Sequence, residues 1–158
     1  MSHAFSAAEI FEMAEQIERN GASFYRESAD RVGDEDAREF LLQLAEMEDN
    51  HLKTFATMRA ELSGKEKESP SFDPNNEVNL YLGTLADTKV FFEKDIDSST
   101  LRGIYKAAIL AEKDSIAFYI GIKELVPDYL GKDKLDDIIK EEMKHIKILN
   151  EKLIDLGE

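Results

Sequence analysis

The stretch FLLQLAEMEDNHLKTF, residues 40–55, spaces its apolar residues by alternate steps of three and four, which is typical of the buried face of an α-helix. Continued to residue 62, these steps select seven positions: Leu41, Leu44, Glu48, His51, Phe55, Met58 and Leu62. The outer positions are apolar, but the central two are a carboxylate and an imidazole. Because ionisable side chains are rarely buried without a partner, the sequence predicts a special chemical role for Glu48 and His51.

The same arrangement recurs near the other end of the chain. The tetrapeptide EDNH at residues 48–51 returns as EMKH at residues 142–145, a displacement of 142 − 48 = 94 residues. This displacement also relates Glu18 in IERNGASFY to Glu112 in AEKDSIAFY, and both glutamates lie in the middle of an apolar helix face. The repeat predicts that each half of the chain is one helix pair and that the two halves contribute equivalent side chains.

The helical periodicity predicts an all-α protein. Two antiparallel helix pairs, at residues 6–63 and 98–156, would be joined by a crossover at residues 64–97, which is a connectivity found in four-helix bundles. A short extra helix is expected within the crossover, in residues 78–92. We expect the whole chain, residues 1–158, to form a single domain.

Helix boundaries are predicted from residue types that favour helix ends. A side-chain oxygen just before a helix can accept a hydrogen bond from a free backbone N–H, whereas glycine and proline favour termination. The predicted caps are Ser6, with Glu9 completing a capping box, then Asp34 for the second helix, and Ser98 or Ser99 for the third. Gly64 is expected to end the second helix, and the third is expected to end before Pro127.

Composition narrows the class of protein. A chain of 158 residues with 42% hydrophobic residues can bury one core, and no uninterrupted apolar run is long enough to cross a membrane. The net charge of −14 disfavours nucleic acid and membrane partners, and the first residues lack the pattern of a secretory signal, so we expect a cytoplasmic protein. The lack of cysteine excludes disulfides and cysteine-held metal centres.

Four carboxylates and two imidazoles are predicted to meet in the middle of the bundle. Buried together, they would be strongly destabilising unless a cation compensated them, and two divalent metal ions meet that need. In each Glu-x-x-His motif, the spacing of three residues puts both side chains on one helix face. The candidate metal ligands are Glu18, Glu48, His51, Glu112, Glu142 and His145. The alternative is a bundle with residual buried polar pairs and no metal.

These positions, in IERNGASFY, EDNH, AEKDSIAFY and EMKH, resemble the ferritin-like di-iron carboxylate superfamily, and most closely rubrerythrin-like proteins that lack a rubredoxin domain. The resemblance implies a ferritin-like four-helix bundle that holds two iron ions, with manganese or zinc as possible substitutes. It implies that Glu48 and Glu142 bridge the two ions. It also implies chemistry on ferrous iron, oxygen or peroxide, and association into a homodimer.

The chain departs from these families at several points. Rubrerythrins proper carry a cysteine-ligated rubredoxin domain that supplies electrons, and this chain has no cysteine, so its electron donor is not identified. They also have a glutamate where this chain has Ser115. Bacterioferritins carry a haem-binding methionine where this chain has Asp49, so no haem is expected. Cage-forming ferritins usually continue into a fifth helix, so a storage cage is not expected either.

Three functions follow from this pattern. The first is an oxidoreductase that uses two metal ions with open positions to react with oxygen or peroxide. The second is an iron-binding or carrier protein without turnover, and the third is a bundle in which the metal only stabilises the fold. Speed of oxidation and recovery by re-reduction would distinguish them.

Residues around the candidate ligands allow further predictions. Tyr25 and Tyr119 are expected to be core aromatics, and the alternative is a hydrogen bond to a ligand on a facing helix. Gly21 and Ser115 are small, which would either leave room for an oxidant at the metals or allow close helix packing. Three acids could bind the histidines from behind or be solvated surface residues: Asp49, Asp114 and Glu141.

Overall fold

The computed structural model describes residues 5–62, 80–81, 99–126 and 128–157. Four long helices account for most of these residues: α1 Ala7–Arg31, α2 Glu35–Ala60, α3 Leu101–Leu125 and α4 Lys132–Asp155. A 3-10 turn, Asp128–Leu130, lies between α3 and α4. The described residues contain no strand, and the prediction of an all-α four-helix bundle is confirmed.

The first two helices begin at the predicted caps. Ser6 Oγ accepts a hydrogen bond from the Glu9 N–H at 3.2 Å, and the Ser6 N–H donates to Glu9 Oε2 at 2.9 Å, which completes the capping box. Asp34 Oδ1 accepts a hydrogen bond from the Ala37 N–H at 3.1 Å at the start of α2. Both caps therefore satisfy backbone donors that a helix start leaves free.

The predicted cap of α3 is wrong. Thr100, not Ser98 or Ser99, precedes the helix, and its Oγ1 accepts a hydrogen bond from the Gly103 N–H at 3.0 Å. Three consecutive residues carry a hydroxyl here, so each could serve as a cap. Since α3 begins at Leu101, Thr100 stands directly before the helix, and its extended backbone suits a cap.

Helix α4 begins without a side-chain cap. Its preceding residue, Gly131, has a φ of 102°, in the left-handed region that favours glycine. A Cβ at this position would lie 3.2 Å from Met58 Cε, so glycine also lets the turn approach α2 closely. Helix α3 ends at Leu125, two residues before Pro127, as predicted.

Two predictions lie outside the described residues. One is the role of Gly64 as terminator; the predicted extent of the second helix to residue 63 is too long, because α2 ends at Ala60 and Glu61 follows as its cap. The other is the short helix in residues 78–92, of which the structure describes Leu80 and Tyr81, both helical. The Tyr81 hydroxyl donates to the Ala117 carbonyl oxygen at 3.0 Å, so this point of the crossover contacts α3.

The core consists of two apolar layers. In the bundle α1 packs mainly on α2, and α3 mainly on α4. The first layer includes Ile10, Phe11, Ala14, Ile17, Phe55, Met58, Phe118, Ile122, Leu135 and Ile138. The second layer contains Tyr25, Ala29, Leu41, Leu44, Ala45, Ile104, Tyr105, Ala108 and Leu149. Along every helix, the candidate ligands fall between residues of the first layer and residues of the second.

None of the helices in the described part of the chain has the length and apolar character needed to cross a membrane.

Candidate metal centre

Six ionisable side chains converge between the two apolar layers. They are Glu18 of α1, Glu48 and His51 of α2, Glu112 of α3, and Glu142 and His145 of α4, which we call the six-residue cluster. Each is at most 3% exposed. The structure thus brings together all the side chains that the sequence predicts as metal ligands.

Both histidines turn Nδ1 towards the carboxylates. His51 Nδ1 lies 2.8 Å from Glu142 Oε1 and 3.5 Å from Glu18 Oε2. His145 Nδ1 lies 3.2 Å from Glu142 Oε2, and it is 3.4 Å from Glu48 Oε1. The two imidazole rings are stacked, with centroids 6.0 Å apart and planes inclined by 22°.

The cluster divides into two overlapping sets of four donor atoms. One set comes from Glu18, Glu48, His51 and Glu142, the other from Glu48, Glu112, Glu142 and His145, and the atoms of each set lie within 4.8 Å of one another. Glu48 and Glu142 belong to both sets. This arrangement fits a dinuclear metal site, with one carboxylate and one imidazole specific to each ion and two carboxylates shared.

Several donor atoms of the cluster have no hydrogen-bond partner. Among the described residues, Glu18 Oε2, Glu48 Oε1 and Glu142 Oε1 are buried without a hydrogen bond. His51 Nδ1 also has none, since its 2.8 Å contact with Glu142 lacks hydrogen-bond geometry. Burying such atoms without compensation costs several kcal/mol each, and a cation bound between them would remove that cost. The residues present therefore fit a metal ion.

The carboxylates of the metal-free cluster cannot all ionise. Burial, reinforced by repulsion from Glu142 and Glu18, raises the pKa of Glu48 well above its ordinary value. Burial also raises the pKa of Glu142 to about 8, with Glu112 and Glu18 adding to the effect. Burial would raise the pKa of Glu112 as well, but hydrogen bonds with Glu142 and His145 lower it overall. Negative charge in the cluster thus calls for a positive partner.

The carboxylates of the cluster also raise the pKa values of the two histidines. Burial by itself would lower the pKa of His51, yet its contacts with Glu142 and Glu18 raise that pKa to about 11. Burial likewise opposes protonation of His145, whereas Glu112 and Glu142 raise its pKa to about 10. Without metal, protons occupy the cluster in place of cations.

Two tyrosines donate hydrogen bonds to glutamates of the cluster, each to a glutamate on the other helix of the pair α1 and α3. The Tyr25 hydroxyl of α1 donates to Glu112 Oε1 of α3 at 2.5 Å, and the Tyr119 hydroxyl of α3 donates to Glu18 Oε1 of α1. The expectation that they are simply core aromatics is therefore wrong, and the alternative is correct. Each tyrosine lies seven residues beyond the glutamate of its own helix, about 10 Å along the axis. Because α1 and α3 run antiparallel, each tyrosine is level with the glutamate of the other helix.

One of the acids considered in the sequence lies behind a histidine. Glu141 Oε2 is 2.6 Å from His51 Nε2, on the side of the ring away from the cluster. Asp49 instead forms an ion pair with Arg26 on the surface. The Ser115 hydroxyl donates to the Ala111 carbonyl oxygen of its own helix at 3.0 Å, so it does not bind the cluster in this structure. A space for oxidant beside Gly21 and Ser115 stays a prediction.

A surface cleft reaches His51, and no pattern in the sequence predicted it. The cleft has a volume of about 440 Å³, lies between α2 and α4, and has His51 and Glu141 in its wall. Its remaining lining is largely polar, with Asn50, Thr54 and Lys53 on the α2 side. It gives small polar molecules a route to the edge of His51.

Glu15 is a buried carboxylate that does not belong to the cluster. It is 4% exposed, and its oxygens lie 2.7 Å from Arg59 Nε and 3.2 Å from Arg59 Nη2. Arg59 also contacts Glu12 at 2.7 Å. The guanidinium therefore compensates this carboxylate, which makes the pair a link between α1 and α2.

Comparison with known proteins is consistent with this site. The crystal structure of a candidate ferritin-like diiron-carboxylate protein from Thermotoga maritima matches with a TM-score of 0.74 at 24% sequence identity, over 99% of this chain and 100% of that chain. At this identity the likeness shows the fold, a ferritin-like bundle. No curated protein matches the sequence. The sequence profile of the Rubrerythrin family matches residues 9–153, so this chain belongs to the Rubrerythrin family.

Proposed function

We propose that the six-residue cluster binds two iron ions and that the protein is an oxidoreductase acting on ferrous iron, oxygen or peroxide. The observation that carries the proposal is the pair of overlapping donor sets that share Glu48 and Glu142. The four glutamates supply four negative charges when ionised, which two divalent ions would neutralise. A charge-balanced, buried site with two adjacent ions suits reactions that need two electrons at once.

The donor count favours reactivity. Each donor set would offer four protein atoms to one ion. One atom would come from an imidazole, one from the glutamate found only in that set, and one from each of the two shared glutamates. Transition metals with oxygen and nitrogen ligands often take about six, so positions are left for small molecules. Iron bound in this way would supply redox equivalents to oxygen or peroxide.

The chain's own residues would prepare the site for that chemistry. Tyr25 and Tyr119 hold the glutamates that are specific to each ion, which fixes one carboxylate oxygen in place. The apolar layers on both sides of the cluster limit the entry of water. The cleft between α2 and α4, whose wall includes His51, would let small polar molecules approach this edge of the site. Manganese or zinc would suit the same donor atoms.

The experiment is anaerobic loading of the metal-free protein with ferrous iron, followed by rapid mixing with oxygen or with peroxide. We expect the optical spectrum to change much faster than for free iron, and an added reductant to restore the ferrous form. A slow, single oxidation would favour a carrier without turnover, and protection of the bound iron from oxidant would favour a structural metal. The Glu142→Ala variant serves as the control, because it removes a shared carboxylate and should react as free iron does.

A further inference from the structure

The two halves of the cluster are not equivalent behind the histidines. The repeat displacement that relates His51 to His145 relates Met47 to Glu141, since 141 − 94 = 47. Glu141 Oε2 lies 2.6 Å from His51 Nε2. Met47 occupies the corresponding place in α2 and offers only a thioether sulfur, which is a weak acceptor.

His145 shows the consequence of this difference. Its Nε2 is buried, and no hydrogen-bond partner for it exists among the described residues. The Glu141 side chain is 44% exposed and Met47 is 37% exposed as a residue, so both are partly exposed on their helices. By the repeat, the two positions correspond, and they differ in side-chain type: a carboxylate in α4 and a thioether in α2.

A carboxylate accepts hydrogen bonds but does not donate them when ionised. Glu141 therefore places the proton of neutral His51 on Nε2 and leaves the lone pair of Nδ1 facing Glu18 and Glu142. It also fixes the orientation of the ring. No described residue makes such a contact with His145, so binding of a metal ion at its Nδ1 would leave its Nε2–H without an acceptor in this part of the structure.

We propose that Glu141 is a positioning residue that makes the two metal sites unequal, so that the site of His51 and Glu18 fills first and more tightly. This inference rests on the proposed function, because it concerns the order in which the same cluster takes up its ions. Partners of this kind behind a metal-bound histidine typically change metal affinity by about 10-fold to 100-fold. The equal contributions that the sequence repeat predicts are therefore replaced by a preferred order.

The test is a titration of the metal-free protein with Co²⁺, in which calorimetry and visible absorption monitor the binding. The wild-type protein should bind in two steps, and His51→Ala should remove the tighter step whereas His145→Ala removes the weaker one. Repulsion between two adjacent cations would give two binding steps even if the two sites were equal. The Glu141 variants are therefore needed to show that Glu141 causes the difference in affinity. Glu141→Ala should weaken the tighter step by about 10-fold to 100-fold and leave the weaker step nearly unchanged.

Three further variants separate the hydrogen bond from other effects. Glu141→Gln keeps an acceptor oxygen and should recover part of the lost affinity. Met47→Glu supplies the missing acceptor to His145 and should strengthen the weaker step. Glu151→Ala removes one negative charge from the surface of α4 and should change neither step, which excludes a general charge effect.

The outcomes are distinct for the two proposals. Two equal steps in the wild type, or an unchanged tighter step in Glu141→Ala, would overturn the role of Glu141 while leaving a two-ion site in place. A wild-type protein that takes up no Co²⁺ would instead contradict the proposed function itself. Thermal melts of the metal-free variants confirm folding, and Glu141 is exposed enough that its substitution should be tolerated.

Discussion

At the scale of single residues, the six-residue cluster has too much negative charge for the protein to balance with its own cations. The cluster contains four glutamates and two histidines, and no lysine or arginine among the described residues forms an ion pair with it. In the metal-free form, protons must compensate, which is why the pKa of Glu142 rises to about 8 and that of His51 to about 11. Metal ions and protons thus compete for the same places.

The first prediction concerns pH. Because the pKa of Glu142 rises from 4.5 to about 8 on folding and that of Glu48 also rises, the folded protein holds protons that the unfolded chain releases. The free energy of unfolding of the metal-free protein should therefore fall as pH increases through this range, by more than about 1 kcal/mol. Urea unfolding in the presence of a chelator, at pH values between about 5 and 8, measures the change.

The histidines act in the same direction. The pKa values of His51 and His145 rise from 6.5 to about 11 and about 10, so their stabilisation is complete below the unfolded value and is lost as pH rises through the folded values. The lowered pKa of Glu112 acts in the opposite direction, but only below its ordinary value of 4.5. A free energy of unfolding that stays constant or rises across this range would contradict the protonated cluster.

The second prediction concerns the tyrosines. Tyr25→Phe and Tyr119→Phe keep the aromatic packing but remove the hydrogen bonds to Glu112 and Glu18. Each should weaken metal binding by about 10-fold to 100-fold, as measured by calorimetry with Mn²⁺. Tyr105→Phe is the matched control, since Tyr105 is also buried but makes no hydrogen bond to the cluster in the described structure. Equal affinities in all three variants would show that the tyrosines only pack.

Single residues also show how far sequence reasoning can go. The meeting of the six charged side chains could be predicted, because buried charge at helical spacing is rare and the repeat presents it twice. The contacts of Tyr25, Tyr119 and Glu141 could be named only as alternatives, because they depend on the relative height and rotation of neighbouring helices. Spacing within one helix does not determine these quantities.

At the scale of the helix, side-chain caps and apolar faces set where each element lies. The residues Ser6 and Asp34 start α1 and α2 at fixed points, which places Glu18 and Glu48 at matching depth between the apolar layers. In α3 the cap at Thr100 does the same for Glu112. Sequence predicts the start of α3 to within two residues, where several hydroxyls follow one another, whereas the predicted end of the second helix at residue 63 is three residues beyond Ala60.

The third prediction tests the cap of α3. Thr100→Ala removes the acceptor of the Gly103 N–H and should lower the free energy of unfolding by about 1 kcal/mol. Thr100→Ser keeps a hydroxyl at the same place and should be close to wild type, so it is the matched control. Urea unfolding at fixed metal content gives both values. If Thr100→Ala unfolds as the wild type does, the helix start is secured by other contacts.

At the scale of the whole molecule, the bundle holds a polar centre between two apolar layers. The layers stabilise the fold, while the cluster opposes folding until a cation binds. A metal ion that binds only the folded chain should stabilise it by about 2.7 kcal/mol when free metal is a hundred times the dissociation constant. The sequence predicted this organisation because its apolar faces are interrupted at the same place in all four helices.

The fourth prediction is thermal. Removing metal with a chelator should lower the melting temperature by roughly 5–10 °C, and added ferrous, manganous or zinc ions should restore it. As the control, a variant with apolar residues in place of the six-residue cluster should be at least as stable as the metal-free protein and should not respond to metal. Equal melting temperatures with and without metal would argue that the cluster does not bind these ions.

The most direct measurement of the central claim is the metal content of the protein after anaerobic reconstitution with ferrous iron and removal of excess iron. A dinuclear site predicts about two iron ions per chain, and loss of both ions in Glu48→Ala and in Glu142→Ala, because these carboxylates belong to both donor sets. One ion per chain in the wild type, or one ion retained at full affinity when Glu48 or Glu142 is replaced, would contradict a shared two-metal centre.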